Sequence, residues 1–283
     1  ITQRACGVCP GPHHLAGAKA CDEVYHVEVP PAGKRLRELF HSAHFVHSHI
    51  AHFYALAAPD FVMGPNSDPV QRNILGVIGK VGLEIGGAVI KARAGAQRIQ
   101  AILGGKPTHA VCGIPGGMSK ALTNPEEIAE VKAIGDSLVE FGKFTLKLFD
   151  DVVLANQAYV DLILSNAYSM NTYYMGMVDP QGRVNFYDGQ LRIIDPEGKE
   201  HARFDPRRYL DYIAEHVEPW TYLKFPYLKS FGWKGLSYGK DIGIYRVAPL
   251  ARLNLATGMA TPVAQAAYEK YRSVLGAGPV HAT

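Results

Sequence analysis

The spacing of apolar residues constrains the fold of this chain more than any other feature. Over five long stretches the apolar residues recur every three or four positions, which is the period of an amphipathic α-helix. The stretches cover about residues 12–25, 32–57, 69–103, 125–148 and 154–170. The fourth begins at Thr123-Asn124-Pro125, where either of the first two residues can cap a helix and the proline suits its first turn. The pattern predicts a mainly α chain, built as a bundle of long helices.

The period changes to two after about residue 180. Residues 183–187, 190–194 and 200–204 predict three short strands, joined by turns at Asp188-Gly189 and at residues 196–198. We therefore expect a small antiparallel β meander over residues 183–204, too small to be a separate domain. Residues 225–254, rich in glycine, tyrosine and proline, predict irregular structure.

Composition narrows the class of protein. The chain has 283 residues, of which 47% are hydrophobic and 19% charged, and its net charge is +3 with both signs interspersed. This is ordinary for a globular protein with a sizeable core, and it argues against a dedicated nucleic-acid surface. No apolar run is long enough to span a bilayer. Four cysteines do not make a disulfide scaffold, so a reducing compartment is favoured.

The two ends of the chain indicate a piece of a longer polypeptide. Ile1 is not a natural initiator, and residues 276–279 have the composition of a linker. We therefore interpret residues 1–283 as a single domain that is incomplete at both ends.

The residues with the most specific chemistry lie near the start of the chain. Cys6 and Cys9 form a CxxC motif, and His13 follows four residues later. Thiolates are soft ligands for zinc, iron, nickel or copper, and this spacing lets both sulfurs reach one metal. Pro10 favours an extended Cys9, so we expect a loop beside a helix N-terminus, whose dipole lowers a thiol pKa. Three interpretations stay open: a zinc half-site, half of a nickel–iron site, or two inert thiols.

Other candidate motifs are weaker. Cys21 and Cys112 are lone cysteines, so they do not supply the second pair that a zinc site needs. His44 and His47 have a spacing that can bind metal, but such histidines more often form hydrogen bonds within a helical core. The glycine-rich run over residues 113–120 lacks the order of a phosphate-binding loop, and we interpret it as a structural turn.

The opening residues strongly resemble the N-terminal signature of the large, catalytic subunit of NiFe hydrogenases, Arg-x-Cys-Gly-x-Cys-x-x-x-His. The matching residues are Arg4, Cys6, Gly7, Cys9 and His13. The resemblance extends to residues 47–54, 57–61, 116–120 and 249–254. The second and third of these segments are most similar to the cytoplasmic, methyl-viologen-reducing class, whose members associate with heterodisulfide reductase.

The resemblance implies roles for five residues. Cys6 would bind nickel alone, Cys9 would bridge nickel and iron, and His13 would donate a hydrogen bond to a bridging sulfur. Arg4 would support the loop electrostatically. Ser48 occupies the place of an aspartate that many members have in their histidine-rich helix, and the resemblance implies that it is catalytic together with Arg4 and His13. The iron of such a nickel–iron centre would carry carbon monoxide and cyanide ligands.

The resemblance also implies a function, namely reversible heterolytic cleavage of H2. Electrons would pass to iron–sulfur clusters in a separate small subunit, within a cytoplasmic complex of the heterodisulfide-reductase type. The family's C-terminal CxxC motif is absent from this sequence, as are its upstream glutamate and its downstream active-site arginine. The chain thus offers two of four thiolates, and we expect the others on segments outside this sequence. The alternatives are a metal-free hydrogenase-like subunit of a larger redox complex and a zinc-stabilised binding module.

Overall fold

The computed structural model describes residues 1–165, 167–237 and 239–282, which divide into two compact units. The first unit comprises Ile1–Leu148 and the second Phe149–Thr283. The interpretation of residues 1–283 as one domain stays a prediction, and each unit is described by itself. Within the described residues, no helix combines the length and the apolar character needed to cross a bilayer.

The first unit is built from helices. They are α1 (Pro10–Val24), α2 (Pro31–Ala51), α3 (Ile74–Val81), α4 (Leu83–Gly104) and α5 (Pro125–Phe149), which ends at the unit boundary. One core of this unit joins α2, α4 and α5 through apolar side chains. Its residues are Val46, Ile50, Phe53, Tyr54, Val89, Ala92, Leu138, Phe141 and Leu148. The mainly α prediction is confirmed, because the amphipathic stripes of the long helices face one another.

A two-stranded hairpin lies between α4 and α5. Strands β1 (Gly113–Ile114) and β2 (Gly117–Met118) are antiparallel, with Gly113 opposite Met118. Pro115 and Gly116 form the turn, and Gly116 has φ +80°, a conformation that favours glycine. The prediction of a structural turn over residues 113–120 is confirmed.

The predicted continuous helix over residues 69–103 is wrong. Asn73 caps α3 by accepting hydrogen bonds from the N–H groups of Leu75 and Gly76. Gly82 then separates α3 from α4 with φ +94° and ψ +157°, a conformation almost restricted to glycine. The apolar residues keep a helical period on both sides of Gly82, so the pattern does not predict that the helix ends there. The second predicted helix also differs, because α2 ends at Ala51 and continues as two π-helical turns, His52–Ala57 and Pro59–Met63.

The second unit combines short helices with two small sheets. Its helices are α6 (Gln157–Leu164), α7 (Tyr209–Tyr212), α8 (Ala248–Leu255) and α9 (Pro262–Leu275). Its strands are β3 (Tyr173–Val178), β4 (Gln190–Ile194), β5 (Glu200–Phe204), β6 (Ile213–Val217), β7 (Lys224–Leu228) and β8 (Tyr245–Arg246). The four-stranded sheet has the order β5-β4-β3-β8, and β6 pairs with β7 alone. Helix α8 packs on this sheet through Ala251 and Leu255, which contact Tyr174 and Val178.

The predicted meander is confirmed in two of its three strands, β4 and β5. The strand predicted over residues 183–187 does not form, and β3 takes its place beside β4. Asp179 is the physical reason, because its carboxylate accepts the N–H groups of Gln181 and Arg183 and its Oδ2 pairs with Arg183 at 2.7 Å. This turn leaves only isolated bridges at residues 183 and 184.

Two further predictions for the second unit need correction. The helix predicted over residues 154–170 is shorter, since Asn156 caps α6 and Ser165 ends it; residue 166 lies outside the described residues. Residues 225–254, predicted to be irregular, contain most of β7 and all of β8, and nearly all of α8.

Candidate metal site

The CxxC motif lies between a 3₁₀ turn (Thr2–Arg4) and α1. Cys9 is the residue immediately before α1, and Pro10 and Pro12 occupy the first helical turn, where a missing N–H costs nothing. Both thiols are half-buried. The sequence thus places its two candidate ligands in a loop that ends at a helix N-terminus, as predicted.

The structure brings Cys6, Cys9 and His13 together. Their ligand atoms, two sulfurs and one ring nitrogen, all lie within 4.8 Å of one another. The backbone N–H of Cys9 donates to Cys6 Sγ at 3.2 Å, which turns the loop back on itself. Two thiols and an imidazole are a soft donor set, and partial exposure leaves room for further ligands. The residues present therefore fit a half-site for a thiolate-bound metal.

The two thiols differ in acidity. Hydrogen bonds from the Cys9 side chain and backbone hold the pKa of Cys6 below its ordinary value. Burial, together with the neighbouring Cys6, raises the pKa of Cys9 to about 11. A lowered thiol pKa beside the helix N-terminus is thus found at Cys6 and not at Cys9, where desolvation and the Cys6 thiol outweigh a backbone hydrogen bond. A metal ion that binds both sulfurs would displace both protons.

Arg4 and Ser48 carry no ligand atom in this group. Arg4 is the last residue of the 3₁₀ turn, and its side chain is exposed. Ser48 is half-buried on α2, directly after His47. The roles of Arg4, Cys6, Cys9, His13 and Ser48 that the resemblance implies stay predictions.

A buried ion pair connects α1 to α2. Arg37 Nη1 lies 2.5 Å from Asp22 Oδ2, and the side chains are 1% and 11% exposed. Burial pushes the pKa of Asp22 upwards, but hydrogen bonds from Arg37 and from the N–H of Gly116, with the Arg37 charge, outweigh it and hold that pKa below its usual value. The pair is therefore charged at neutral pH.

The same pair holds the β1–β2 hairpin. Arg37 donates from Nη2 to the carbonyl of Ile114 at 2.8 Å and to that of Gly117 at 3.0 Å. Asp22 Oδ1 accepts the N–H of Gly116 at 2.7 Å. We call Asp22, Arg37 and residues 113–118 the hairpin anchor. Its polar groups satisfy one another away from water, which is the condition for a stable buried charge pair.

His14 joins α1 directly to the hairpin. Its Nε2 accepts the N–H of Gly113 at 2.7 Å, so Nδ1 carries the proton of the neutral ring. Burial and the charge of Arg37 lower the pKa of His14, which keeps the ring neutral. A Cβ at Gly113 would lie 2.9 Å from Ala18 Cβ, so only glycine permits this close approach to α1. Helix α1, which follows Cys9 directly, is therefore fixed by contacts along its length.

The sequence analysis missed Asp22, Arg37 and His14. A signal for Arg37 exists, because it lies on the buried stripe of α2 that also contains Gly33, Phe40, His44 and His47. A charged residue in a buried helical stripe indicates a partner elsewhere. The partners of Arg37 lie 77 and 80 residues further along the chain, or on α1, and a local pattern carries no information about such pairs.

The comparisons with known proteins agree with the chemistry of this loop. Residues 1–67 match the family model described as nickel-dependent hydrogenase. The chain is 46% identical to a protein of Archaeoglobus profundus named as an iron-sulfur subunit of F420-non-reducing hydrogenase, over 98% of this chain and 56% of that protein. It is 33% identical to subunit beta of the NAD-reducing hydrogenase HoxS of Cupriavidus necator, over 96% of this chain and 55% of that protein.

A solved structure is also similar over nearly the whole chain. The crystal structure of an NAD+-reducing NiFe hydrogenase in the H2-reduced state superposes with a TM-score of 0.87 at 31% identity, covering 99% of this chain and 60% of that one. The chain thus spans somewhat more than half the length of these relatives. Together the matches show that almost the whole chain is similar to part of known hydrogenase subunits.

The same findings correct the subunit that the sequence analysis names. The curated relatives are named as iron-sulfur or vhu subunits of F420-non-reducing hydrogenases and as subunit beta of HoxS, not as the large catalytic subunit of the methyl-viologen-reducing class. Assignment to that large subunit, and to an enzyme defined by it, is therefore wrong. The physical reason is that a ten-residue ligand motif determines local metal chemistry and does not determine which subunit of a complex contains it.

Proposed function

We propose that Cys6 and Cys9 contribute two thiolates to a nickel–iron centre in a hydrogenase complex that reversibly cleaves H2. The observation that carries the proposal is the convergence of the two sulfurs and a His13 ring nitrogen within 4.8 Å at the start of α1. The match of residues 1–67 to a nickel-dependent hydrogenase model supports the choice of metal.

The centre would supply a soft, electron-rich site for the heterolytic cleavage of H2 into a proton and a hydride equivalent. The residues of this chain hold and tune it. Cys6 and Cys9 would bind through sulfur, and His13 would donate a ring N–H to a bound sulfur and so adjust its electron density. Because two thiolates do not complete the coordination, we propose that the remaining ligands come from outside this sequence.

The wider context is also a proposal. Electrons would leave through iron–sulfur clusters of a partner subunit, since the four cysteines of this chain do not form a cluster-binding set. Carbon monoxide and cyanide would be ligands of the iron, and the partner complex would be of the heterodisulfide-reductase type in the cytoplasm. The names of the relatives, which are hydrogenase subunits, support a complex of several chains.

A structural zinc site is the second candidate, because two thiols with a histidine are also a common zinc donor set. A metal-free subunit is the third, although a chain without a metal has no chemical need for paired thiols at this position.

Metal analysis of the full-length protein, purified without oxygen together with its partner subunits, separates the three. We expect nickel, with iron in excess of nickel because the partner's clusters also contain iron, and infrared bands from iron-bound carbon monoxide and cyanide. Zinc in place of nickel, or the absence of both nickel and the infrared bands in a fully matured sample, would overturn the proposal.

A further inference from the structure

A second polar cluster lies between α2 and α4. His44, His47 and Gln100 are only 3%, 6% and 2% exposed. Gln100 Nε2 lies 3.5 Å from His44 Nδ1, and the rings of His44 and His47 meet edge to face with centroids 5.3 Å apart. Three polar side chains therefore share one buried space within the helical core of the first unit.

Two atoms of this cluster have unused hydrogen-bonding capacity. Among the described residues, no protein group forms a hydrogen bond with Gln100 Oε1 or His47 Nδ1. A buried polar atom without a partner is costly, and native proteins usually satisfy such atoms with ordered water. The cluster thus needs a small guest with both donor and acceptor capacity.

The orientation of the Gln100 amide does not remove this need. Rotating the amide by 180° exchanges Oε1 and Nε2, and the two orientations are hard to distinguish by shape alone. In either orientation one end of the amide faces His44 Nδ1 and the other end stays without a protein partner. The unsatisfied group is therefore a property of the site.

The charges around the cluster favour a neutral guest. Burial, reinforced by neighbouring histidines, lowers the pKa of His44 to about 4, and burial with the charge of Arg93 lowers that of His47. Both rings are neutral at pH 7, so each offers one donor and one acceptor. A cation would be repelled by Arg93, and an anion would lack a charged partner within the cluster.

We propose that His44, His47 and Gln100 form an internal hydration site that holds ordered water and supports the start of α1. The support is through Gly11, where a Cβ would lie 3.4 Å from both Gln100 Nε2 and His44 Nδ1 and 3.1 Å from Phe40 Cε1. The backbone of α1 therefore packs closely against the cluster at Gly11, which is two residues after Cys9. The hydration site requires no metal, so a result against it would not count against the proposed function, and the reverse also holds.

A high-resolution crystal structure of the full-length protein tests the proposal directly. We expect water density within hydrogen-bonding distance of both Gln100 Oε1 and His47 Nδ1. A dry cluster in which Gln100 and His47 bond each other would overturn the proposal. So would an anomalous signal from a metal ion at this place.

Two variants test whether the water supports α1. Gln100→Met keeps the size of the side chain and removes its polar atoms, and Gln97→Met changes a half-buried glutamine of the same helix. We expect Gln100→Met, but not Gln97→Met, to lose the water and to speed hydrogen exchange of the His13 amide about tenfold. Equal exchange in the two variants would contradict the supporting role. If Gln100→Met fails to fold, His47→Gln serves the same test.

Discussion

The loop with the candidate ligands and the hairpin anchor differ in how the chain specifies them. The loop places two thiols and an imidazole together within eight residues of sequence, and it is half-buried. The hairpin anchor joins residues 77 to 94 positions apart, and the side chain of its Arg37 is almost completely buried. The candidate metal ligands are therefore encoded locally, whereas the support that holds α1 in position is encoded at long range.

The largest expected effect tests the local half of this comparison. Cys9→Ser replaces a soft sulfur by a hard hydroxyl oxygen, so we expect the nickel content of the purified complex to fall at least about tenfold. The matched control is Cys112→Ser, because Cys112 is a buried thiol outside the group of Cys6, Cys9 and His13. Inductively coupled plasma mass spectrometry measures both variants. Full nickel loading in Cys9→Ser would show that this sulfur is not a ligand.

The second prediction tests the long-range half. Arg37→Met leaves the Asp22 carboxylate buried without its cation and removes the bonds to the hairpin, so we expect the free energy of unfolding to fall by about 3–5 kcal/mol. Arg98→Met is the control, since Arg98 forms an exposed pair with Glu130 and its loss should cost far less. Urea denaturation measures both. A similar small loss in the two variants would mean that the anchor contributes little.

The same division explains what could be predicted from sequence. Helical period and end signals located α1 and α5, because both depend on neighbours in the chain. The convergence of Cys6, Cys9 and His13 was also predictable from their spacing. Arg37 was not, because its role depends on the carbonyls of a hairpin that reaches it only after folding. The subunit identity was mispredicted for a related reason, since a short motif reports local chemistry alone.

The third prediction extends the comparison to the buried histidines of α2. The pKa of His44 is about 4 when folded, against 6.5 for an unperturbed histidine. The unfolded chain therefore binds a proton that the folded chain excludes, and stability present above pH 6.5 is lost as the pH falls towards 4. The full loss from this one residue is about 3 kcal/mol.

Replacement of His44 isolates this contribution. We expect His44→Leu to flatten the fall of unfolding free energy between pH 6.5 and pH 4, whatever its effect at pH 7. His52→Leu is the control, because His52 is exposed directly after α2 and is not among the charges that lower the pKa of His44. Urea denaturation at several pH values gives the slopes. An unchanged slope in His44→Leu would mean that this ring is protonated in the folded protein.

The smallest effect concerns the backbone between α3 and α4, where local sequence misled the prediction. Gly79 lies inside α3 and Gly82 at the break, and no atom lies within 4 Å of an added Cβ at either position. Space is therefore equal at the two sites, and only the backbone conformation differs. Gly79→Ala should stabilise the protein by up to about 1 kcal/mol, because alanine favours a helix. Gly82→Ala should destabilise it by about 1–3 kcal/mol, because φ is +94° there.

The midpoints of thermal unfolding of Gly79→Ala and Gly82→Ala test the break between α3 and α4. Opposite shifts in the midpoint would show that a single glycine conformation ends α3, and that long-range packing is not needed to explain the break. Stabilisation by both substitutions would instead mean that the helix runs through Gly82, as the apolar period alone indicates. In the first case the break, like the ligand loop, is specified by neighbouring residues. In either case the hairpin anchor remains the part of the first unit that depends on contacts between distant residues.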